Sequence, residues 1–293
     1  VGEDYYLAGT TMHSVPGLVV LHSKDLVNWE FSSYCFDRFD DSDDFNLRNG
    51  KEAYGQGIWA PAIRYHNGKF YIFSNINGHG LQVYISDSAK GSWTHHKING
   101  DIYDLSMLFD DDGKIYAVHK YGNVTVTELK PDLSGPVEGS SKVVIPEGNA
   151  MGEGHHVYKI NGMYYILSAD YSPMGRMQCA RSKSIWGPYE TCVISERESF
   201  GYAAGWSVGN MGIGRPLPED GFKFQNNQPN GVNLGCATIH QGGIVQAPDG
   251  KWWGVSMQDF NAVGRTVCLS PITWVDGWPY FGLEKNLGRS PRT

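Results

Sequence analysis

Four residues that could do chemistry or hold a ligand recur at nearly the same distance from a turn glycine. Trp59, Asp104 and Glu153 each stand nine residues before the glycine of a predicted hairpin, and His240 stands ten before one. Residues at equivalent places of a repeat are expected to lie at the same end of the structure. An indole, two carboxyls and an imidazole should therefore come together around one opening. Carboxyls that face one another in a partly desolvated space repel, so stability alone does not favour such a cluster. The spacing therefore predicts a functional site.

The two carboxyls, Asp104 and Glu153, indicate acid–base chemistry. Hydrolysis of a glycosidic bond uses a pair of carboxyl groups, one protonating the leaving oxygen and the other activating water. The alternative is a pair of solvated loop carboxylates, the commonest fate of Asp and Glu, but their shared offset from the repeat disfavours it. The same count in the first repeat falls about seven residues before Val1. A third polar residue, a carboxylate, is expected there.

An internal repeat must position these residues. A turn, a bulky β-forming pair and an apolar stretch occur five times, and the copies begin at Val1, Asn67, Asp112, Asn161 and Asp249. Asn-Gly and Asp-Gly between β-rich runs are strong hairpin signals, because a type I′ turn needs positive φ at both central residues. Units of about 45 residues with four strands are typical of propeller blades. The sequence predicts an all-β fold, a five-bladed β-propeller of four-stranded antiparallel blades.

Two blades are expected to carry insertions. The acidic stretch 37–57 and the Gly-, Pro- and Asn-rich stretch 199–235 lengthen the repeat where they occur.

The acidic run Asp110 to Asp112 is better interpreted as a hairpin than as a metal site, because Asp112-Gly113 is the turn itself. The adjacent pairs His95-His96 and His155-His156 point to opposite faces of a strand, so neither pair chelates one ion easily.

Composition excludes several classes of function. The formal net charge is −7 and the 24 Lys and Arg residues are scattered, which disfavours nucleic acid and membrane surfaces as partners. No apolar run approaches the roughly 20 residues that span a bilayer, and the amino terminus shows no signal segment. The five cysteines share no C-x-x-C spacing, so free buried thiols are favoured over zinc or redox sites.

Four segments resemble glycoside hydrolase family 43, and the resemblance runs nearly from end to end. The segments are Gly57-Ile58-Trp59-Ala60-Pro61, Asp104-Leu105-Ser106-Met107-Leu108-Phe109-Asp110-Asp111-Asp112-Gly113, Gly152-Glu153-Gly154-His155-His156-Val157-Tyr158-Lys159, and His240-Gln241-Gly242-Gly243-Ile244-Val245. That family has an inverting five-bladed propeller. The resemblance implies that Glu153 is the general acid and that Asp104 adjusts the acid's pKa and orientation.

The remaining site residues also follow from the resemblance. His240 matches a histidine that holds a hydrated cation, commonly calcium, although a core histidine bonded to backbone is the alternative. The family's general base is an aspartate upstream of Val1, where the repeat count also expects a carboxylate. Trp59 and Tyr103 are expected to be walls for a sugar face, and His13 to cap the sugar pocket. Arg265 matches an arginine near the base, where it would keep an aspartate ionised.

We therefore expect residues 1–293 to form a single catalytic propeller domain, with the first inner strand upstream of Val1 and a β-sandwich domain after Thr293. The expected activity is exo-acting, inverting release of L-arabinofuranose from plant oligo- or polysaccharides, in an extracellular or periplasmic location. No cofactor is needed for the chemistry, and no obligate protein partner is inferred. The alternatives are a β-xylosidase, a fructan-cleaving propeller, and a carbohydrate-binding propeller without catalysis.

Overall fold

The computed structural model describes residues 1–39, 42–98, 102–149, 151–170, 176–195, 240–259, 265–285 and 287. Every regular element in these residues is a β-strand. The strands pair into five sheets, and each pairing that the structure resolves is antiparallel. The predicted fold class, an all-β five-bladed propeller, is confirmed.

Each sheet is built from strands that are consecutive in the chain. The first sheet has three strands: β1 (Tyr5–Gly9), β2 (Gly17–Ser23) and β3 (Trp29–Phe36). The second has four: β4 (Ala62–His66), β5 (Lys69–Ile76), β6 (Gly80–Ser86) and β7 (Thr94–Ile98). The third contains β8 (Ser106–Phe109), β9 (Ile115–His119), β10 (Val124–Leu129) and β11 (Lys142–Ile145).

The last two sheets also have four strands each. The fourth contains β12 (Glu153–Ile160), β13 (Met163–Asp170), β14 (Arg176–Ser182) and β15 (Glu190–Val193). The fifth contains β16 (His240–Gln246), β17 (Trp252–Asp259), β18 (Arg265–Val275) and β19 (Trp278–Phe281). Four blades thus have the predicted four strands and the first has three. A further inner strand upstream of Val1 stays a prediction.

The predicted hairpins form, but by two different turns. Asn67-Gly68 and Asn161-Gly162 are two-residue loops with positive φ at both positions, 48° and 79° in the first and 51° and 77° in the second. At the two Asp-Gly hairpins only the glycine has positive φ, 80° at Gly113 and 83° at Gly250. The prediction of positive φ at both residues was wrong there, because those loops are longer and close with a bond from the glycine N–H to the residue three before it.

The chain packs into two compact units. The first comprises 1–147, 154–165 and 182–188, and the second comprises 148–153, 166–181 and 189–293. In the first unit, buried side chains of β5 and β6 pack with those of β8 to β10, including Phe73, Val83, Met107, Ala117 and Leu129. A second apolar cluster joins the first sheet to β5 and β6 through Leu18, Val20, Ile72 and Tyr84.

The middle strands are buried on both faces: in β5 the neighbours Ile72 and Phe73 belong to different clusters, and all five residues of β9 are buried. Of the predicted insertions, the described part of 37–57 lies between β3 and β4 and contains no strand, while 199–235 lies outside the described residues. Within the described residues, no helix has the length and apolar character needed to cross a bilayer.

Candidate active site

Glu153 is the first residue of β12, as the repeat count predicted for the start of an inner strand. Its side chain is half-buried. The carboxyl oxygen Oε1 accepts a hydrogen bond from Nε2 of Gln241, at 2.9 Å. Because Gln241 is uncharged, the bond orients the carboxyl without adding a charge beside it.

Gln241 reaches Glu153 from an irregular start of β16. The register of β16 against β17 shifts between His240 and Gly243, and Gln241 has a left-handed backbone with φ of 47°. A β-bulge of this kind bends its strand and re-aims a side chain. The next residue must be glycine, because a Cβ at Gly242 would lie 2.1 Å from the carbonyl oxygen of Val255. Local backbone geometry therefore directs Gln241.

Asp104 lies two residues before β8, also with a left-handed backbone, φ 54°. Asp visits this region more easily than most residues, because its short side chain can bond locally. Its oxygen Oδ2 accepts a hydrogen bond of 2.7 Å from the backbone N–H of Gly154. The bond is charge-assisted when Asp104 is ionised. Asp104 thereby holds the peptide group that follows Glu153.

The backbone beside Asp104 is tied down through Lys120. The N–H of Lys120 donates to the carbonyl oxygen of Tyr103 at 3.0 Å. The carbonyl oxygen of Lys120 accepts from Nε2 of His155, at 2.5 Å. His155 is buried in β12, and burial lowers its pKa to about 4. The neutral imidazole thus links the strand that begins with Glu153 to the segment that carries Asp104.

Arg64 bonds to two further strands of the site, and it was not predicted from the sequence. From β4 its Nε donates to the carbonyl oxygen of Met107 in β8, at 2.6 Å. Its Nη2 donates to the hydroxyl of Ser106 at 2.7 Å and to the carbonyl oxygen of Val157 in β12 at 3.2 Å. The buried Ser106 hydroxyl also accepts from the N–H of Val157. The available signal was an arginine inside the apolar run Ala62-Ile63-Arg64-Tyr65.

The predicted sugar walls occupy defined positions. Trp59 is half-buried just before β4, and its N–H donates to the carbonyl oxygen of Asn75 at 3.1 Å. Its own carbonyl oxygen accepts from the hydroxyl of Ser74. The exposed His13 packs on Tyr54 with ring centroids 4.8 Å apart and accepts from the N–H of Gly55. Whether Trp59, Tyr103 and His13 contact a sugar stays a prediction.

His240 and Arg265 are described only by their backbones. His240 begins β16 opposite Met257, and Arg265 begins β18 opposite Asp259. Their predicted roles with a cation and with the base therefore remain predictions. Among the described residues no three His, Cys, Asp or Glu side chains come together in a group that could hold a metal ion. The side chain of His240 lies outside the described part of the structure, so the cation stays a prediction of the family resemblance.

The acidic run has the structural role that was predicted. Asp110 closes the hairpin between β8 and β9, and its N–H donates to the carbonyl oxygen of Lys114. Its buried carboxylate accepts from Nζ of Lys159 and from the hydroxyl of Tyr164, both at 2.6 Å. These bonds join β8 to β12 and β13. Asp110 is thus a buried ion-pair partner.

Comparison with known proteins gives sequence matches over nearly the whole chain. A sequence profile described as Glycosyl hydrolases family 43 matches residues 1–198. A non-reducing end α-L-arabinofuranosidase of Bacteroides ovatus is 33% identical over 300 residues, which cover 97% of this chain and 50% of that protein. A β-xylosidase of Formosa agariphila is 28% identical over 326 residues, covering 98% of this chain and 48% of that protein. The chain spans about half the length of these curated relatives.

Solved structures show the same likeness. A bifunctional GH43-CE protein of Bacteroides eggerthii superposes with a TM-score of 0.80 at 33% identity, over 99% of this chain and 34% of that chain. A Bacteroides ovatus protein described as Xyloglucan PUL GH43B superposes with a TM-score of 0.74 at 28% identity, over 99% of this chain and 54% of that chain. Sequence and fold therefore resemble the same group of proteins.

Proposed function

This chain belongs to family 43 of the glycosyl hydrolases, and from that premise we propose that it releases terminal L-arabinofuranose from arabinose-containing plant oligo- or polysaccharides, with inversion. The observation that carries the proposal is the Glu153 carboxyl, held on one oxygen by Gln241 and followed by a peptide group that Asp104 holds. A proton donor needs such a fixed direction to reach the leaving oxygen.

In the proposed reaction Glu153 is the general acid. The bond between the anomeric carbon and the leaving oxygen breaks, and that oxygen takes the proton of Glu153. Water adds its hydroxyl to the opposite face of the anomeric carbon and gives its proton to a general base. The base is the aspartate that the family resemblance assigns upstream of Val1, and it stays a prediction. Asp104 acts on the acid through the Gly154 peptide and through its charge.

The choice of sugar rests on relatives. The Bacteroides ovatus protein named as an α-L-arabinofuranosidase is 33% identical, which supports arabinofuranose as the first candidate. Several other relatives are named as β-xylosidases, so β-xylose is the second candidate. The two sugars present similar hydroxyl groups, which limits the discrimination that one pocket can reach.

The experiment compares nitrophenyl α-L-arabinofuranoside with nitrophenyl β-D-xyloside, using the full-length protein and Glu153→Gln. We expect faster turnover of the arabinofuranoside and, by proton NMR, a first-formed sugar of inverted anomeric configuration. Preferred release of xylose would move the proposal to a β-xylosidase. Binding of oligosaccharide without turnover would favour a carbohydrate-binding propeller, and release of fructose from sucrose would favour a fructan-cleaving one.

We also propose a hydrated calcium ion beside His240, and this part of the proposal rests only on the family resemblance. Dialysis against a chelator, followed by metal analysis and a melting curve with and without added calcium, tests it. We expect calcium to raise the melting temperature of the native protein. No response of the melting temperature would remove the ion from the proposal.

A further inference from the structure

We propose that Gln241 is a positioning residue for Glu153, an inference that rests on the function proposed above. Its amide Nε2 donates to Oε1 of Glu153 at 2.9 Å. When the carboxyl is neutral, its carbonyl oxygen is the better acceptor, so this bond favours Oε1 as the carbonyl oxygen and Oε2 as the carrier of the acidic proton. Gln241 thus favours one oxygen as the proton donor and restricts the rotation of the carboxyl group.

The choice of an amide suits a proton donor. A lysine or arginine at this place would make a charge-assisted bond, which favours the ionised form of a carboxyl group. A general acid must meet its substrate protonated. The neutral amide of Gln241 can donate to Oε1 in both protonation states, so it can hold the carboxyl before and after proton transfer.

The backbone around Gln241 is unfavourable by itself. A left-handed backbone is unfavourable for a residue other than glycine, and Gln241 has φ of 47°. Gly242 lies against β17 with no room for a Cβ beside Val255 and Ser256. Such strained positions persist where the surroundings impose them, and they are common at functional sites. A role of the bulge in directing the Gln241 side chain toward Glu153 explains this strain.

The test uses two substrates and matched variants. Gln241→Met keeps the size of the side chain and the Cβ but removes the donor. The control is Gln246→Met in the same strand, because the exposed Gln246 donates only to the turn carbonyl of Gly250 among the described contacts. The substrate with a poor leaving group is an arabino-oligosaccharide. The substrate with a good leaving group is dinitrophenyl α-L-arabinofuranoside, whose phenolate needs little protonation.

For Gln241→Met we expect kcat on the oligosaccharide to fall about tenfold, the effect of one lost hydrogen bond of ordinary strength. On the dinitrophenyl substrate kcat should fall less than about twofold, with KM and melting temperature close to wild type. Gln246→Met should match the wild type on both substrates. Equal losses on both substrates, or no loss on either, would overturn the inference.

Glu153→Gln separates this inference from the proposed function. If Glu153→Gln loses activity equally on both substrates, the assignment of the acid fails and the role of Gln241 falls with it. If Glu153→Gln shows the leaving-group dependence and Gln241→Met does not, only the positioning inference fails. In the double variant, Gln241→Met should add nothing to the loss from Glu153→Gln, because residues that act as a unit are not additive.

Discussion

The carboxylate of Asp104 accepts the backbone N–H of Gly154 at a distance of 2.7 Å. Gly154 follows Glu153 directly, so Asp104 holds the main chain beside the proposed acid. An effect of the Asp104 charge on the acid stays a prediction. A role for Asp104 in orientation was implied by the family resemblance, and this bond supplies a physical means for it. The two effects can be separated, because an amide keeps the acceptor and removes the charge.

Asp104→Asn and Asp104→Ala are expected to differ in stability. The asparagine carbonyl can still accept from Gly154, whereas alanine leaves that N–H without this acceptor at a cost of about 1–3 kcal/mol. Both variants should lose activity, since both lose the charge. Chemical denaturation and kcat measured on the same preparations check this expectation. Equal stability of the two variants would show that the bond to Gly154 contributes little.

Arg64→Met should weaken the fold strongly. The change removes donors from the carbonyl oxygens of Met107 and Val157 and from the hydroxyl of Ser106. The Ser106 hydroxyl keeps the N–H of Val157 as a donor, whereas the two carbonyl oxygens lose the Arg64 donor. Lost hydrogen bonds to buried acceptors cost about 1–3 kcal/mol each, so we expect a loss of about 3–5 kcal/mol in the free energy of unfolding. The matched control is Arg48→Met at an exposed position. A loss no larger than that of the control would contradict the prediction.

Two buried histidines predict a loss of stability in acid. Burial lowers the pKa of His119 to about 4 and that of His155 to about 4, from an ordinary value of 6.5. Between these values the unfolded chain binds protons that the folded protein does not, so the free energy of unfolding falls as the pH drops through this window. The fall reaches up to about 3 kcal/mol for each histidine.

Urea denaturation at a series of pH values between neutrality and the lower pKa values measures this effect. His155→Gln should reduce the dependence of the free energy of unfolding on pH, because glutamine does not titrate. Its amide can still donate to the carbonyl oxygen of Lys120. His13→Gln at an exposed position is the matched control. An unchanged slope in a variant that lacks both His119 and His155 would refute the assignment.

The buried thiols are expected to be unreactive in the folded protein. Cys35 and Cys179 are buried and free, and burial raises the pKa of both thiols. The thiolate is the reactive form, so alkylation should be slow until the protein unfolds. Iodoacetamide labelling with peptide mass spectrometry, before and after addition of denaturant, follows each cysteine separately. Labelling of Cys179 in the native protein at the rate of a free thiol would contradict its burial.

The turns and the starts of several strands could be predicted from short segments of the sequence. The Asn67-Gly68 and Asn161-Gly162 turns formed as predicted, because the backbone conformation of a two-residue loop depends on the two residues themselves. Glu153 and His240 each begin a strand, as the repeat count indicated. The two Asp-Gly hairpins have longer loops with a different turn, because the Asp-Gly dipeptide alone does not determine the length of the loop that contains it.

The supporting contacts of the site could not be predicted in this way. Gln241 and Glu153 are 88 residues apart, and their bond depends on a bulge that shifts the side-chain alternation of β16. A one-residue shift sends a side chain to the other face of a strand, so periodicity alone misplaces such a residue. Arg64 likewise bonds to strands that follow it by more than 40 residues. Both contacts depend on tertiary structure.

The Asn67-Gly68 and Asn161-Gly162 turns also have a practical use. A Cβ at Gly68 or Gly162 would meet no atom within 4 Å. Exposed loop tips of this kind are the sites where inserted peptides are best tolerated. An epitope tag or a fluorophore-binding peptide can therefore be placed at either tip, which would label the protein for pull-down or imaging without touching its strands.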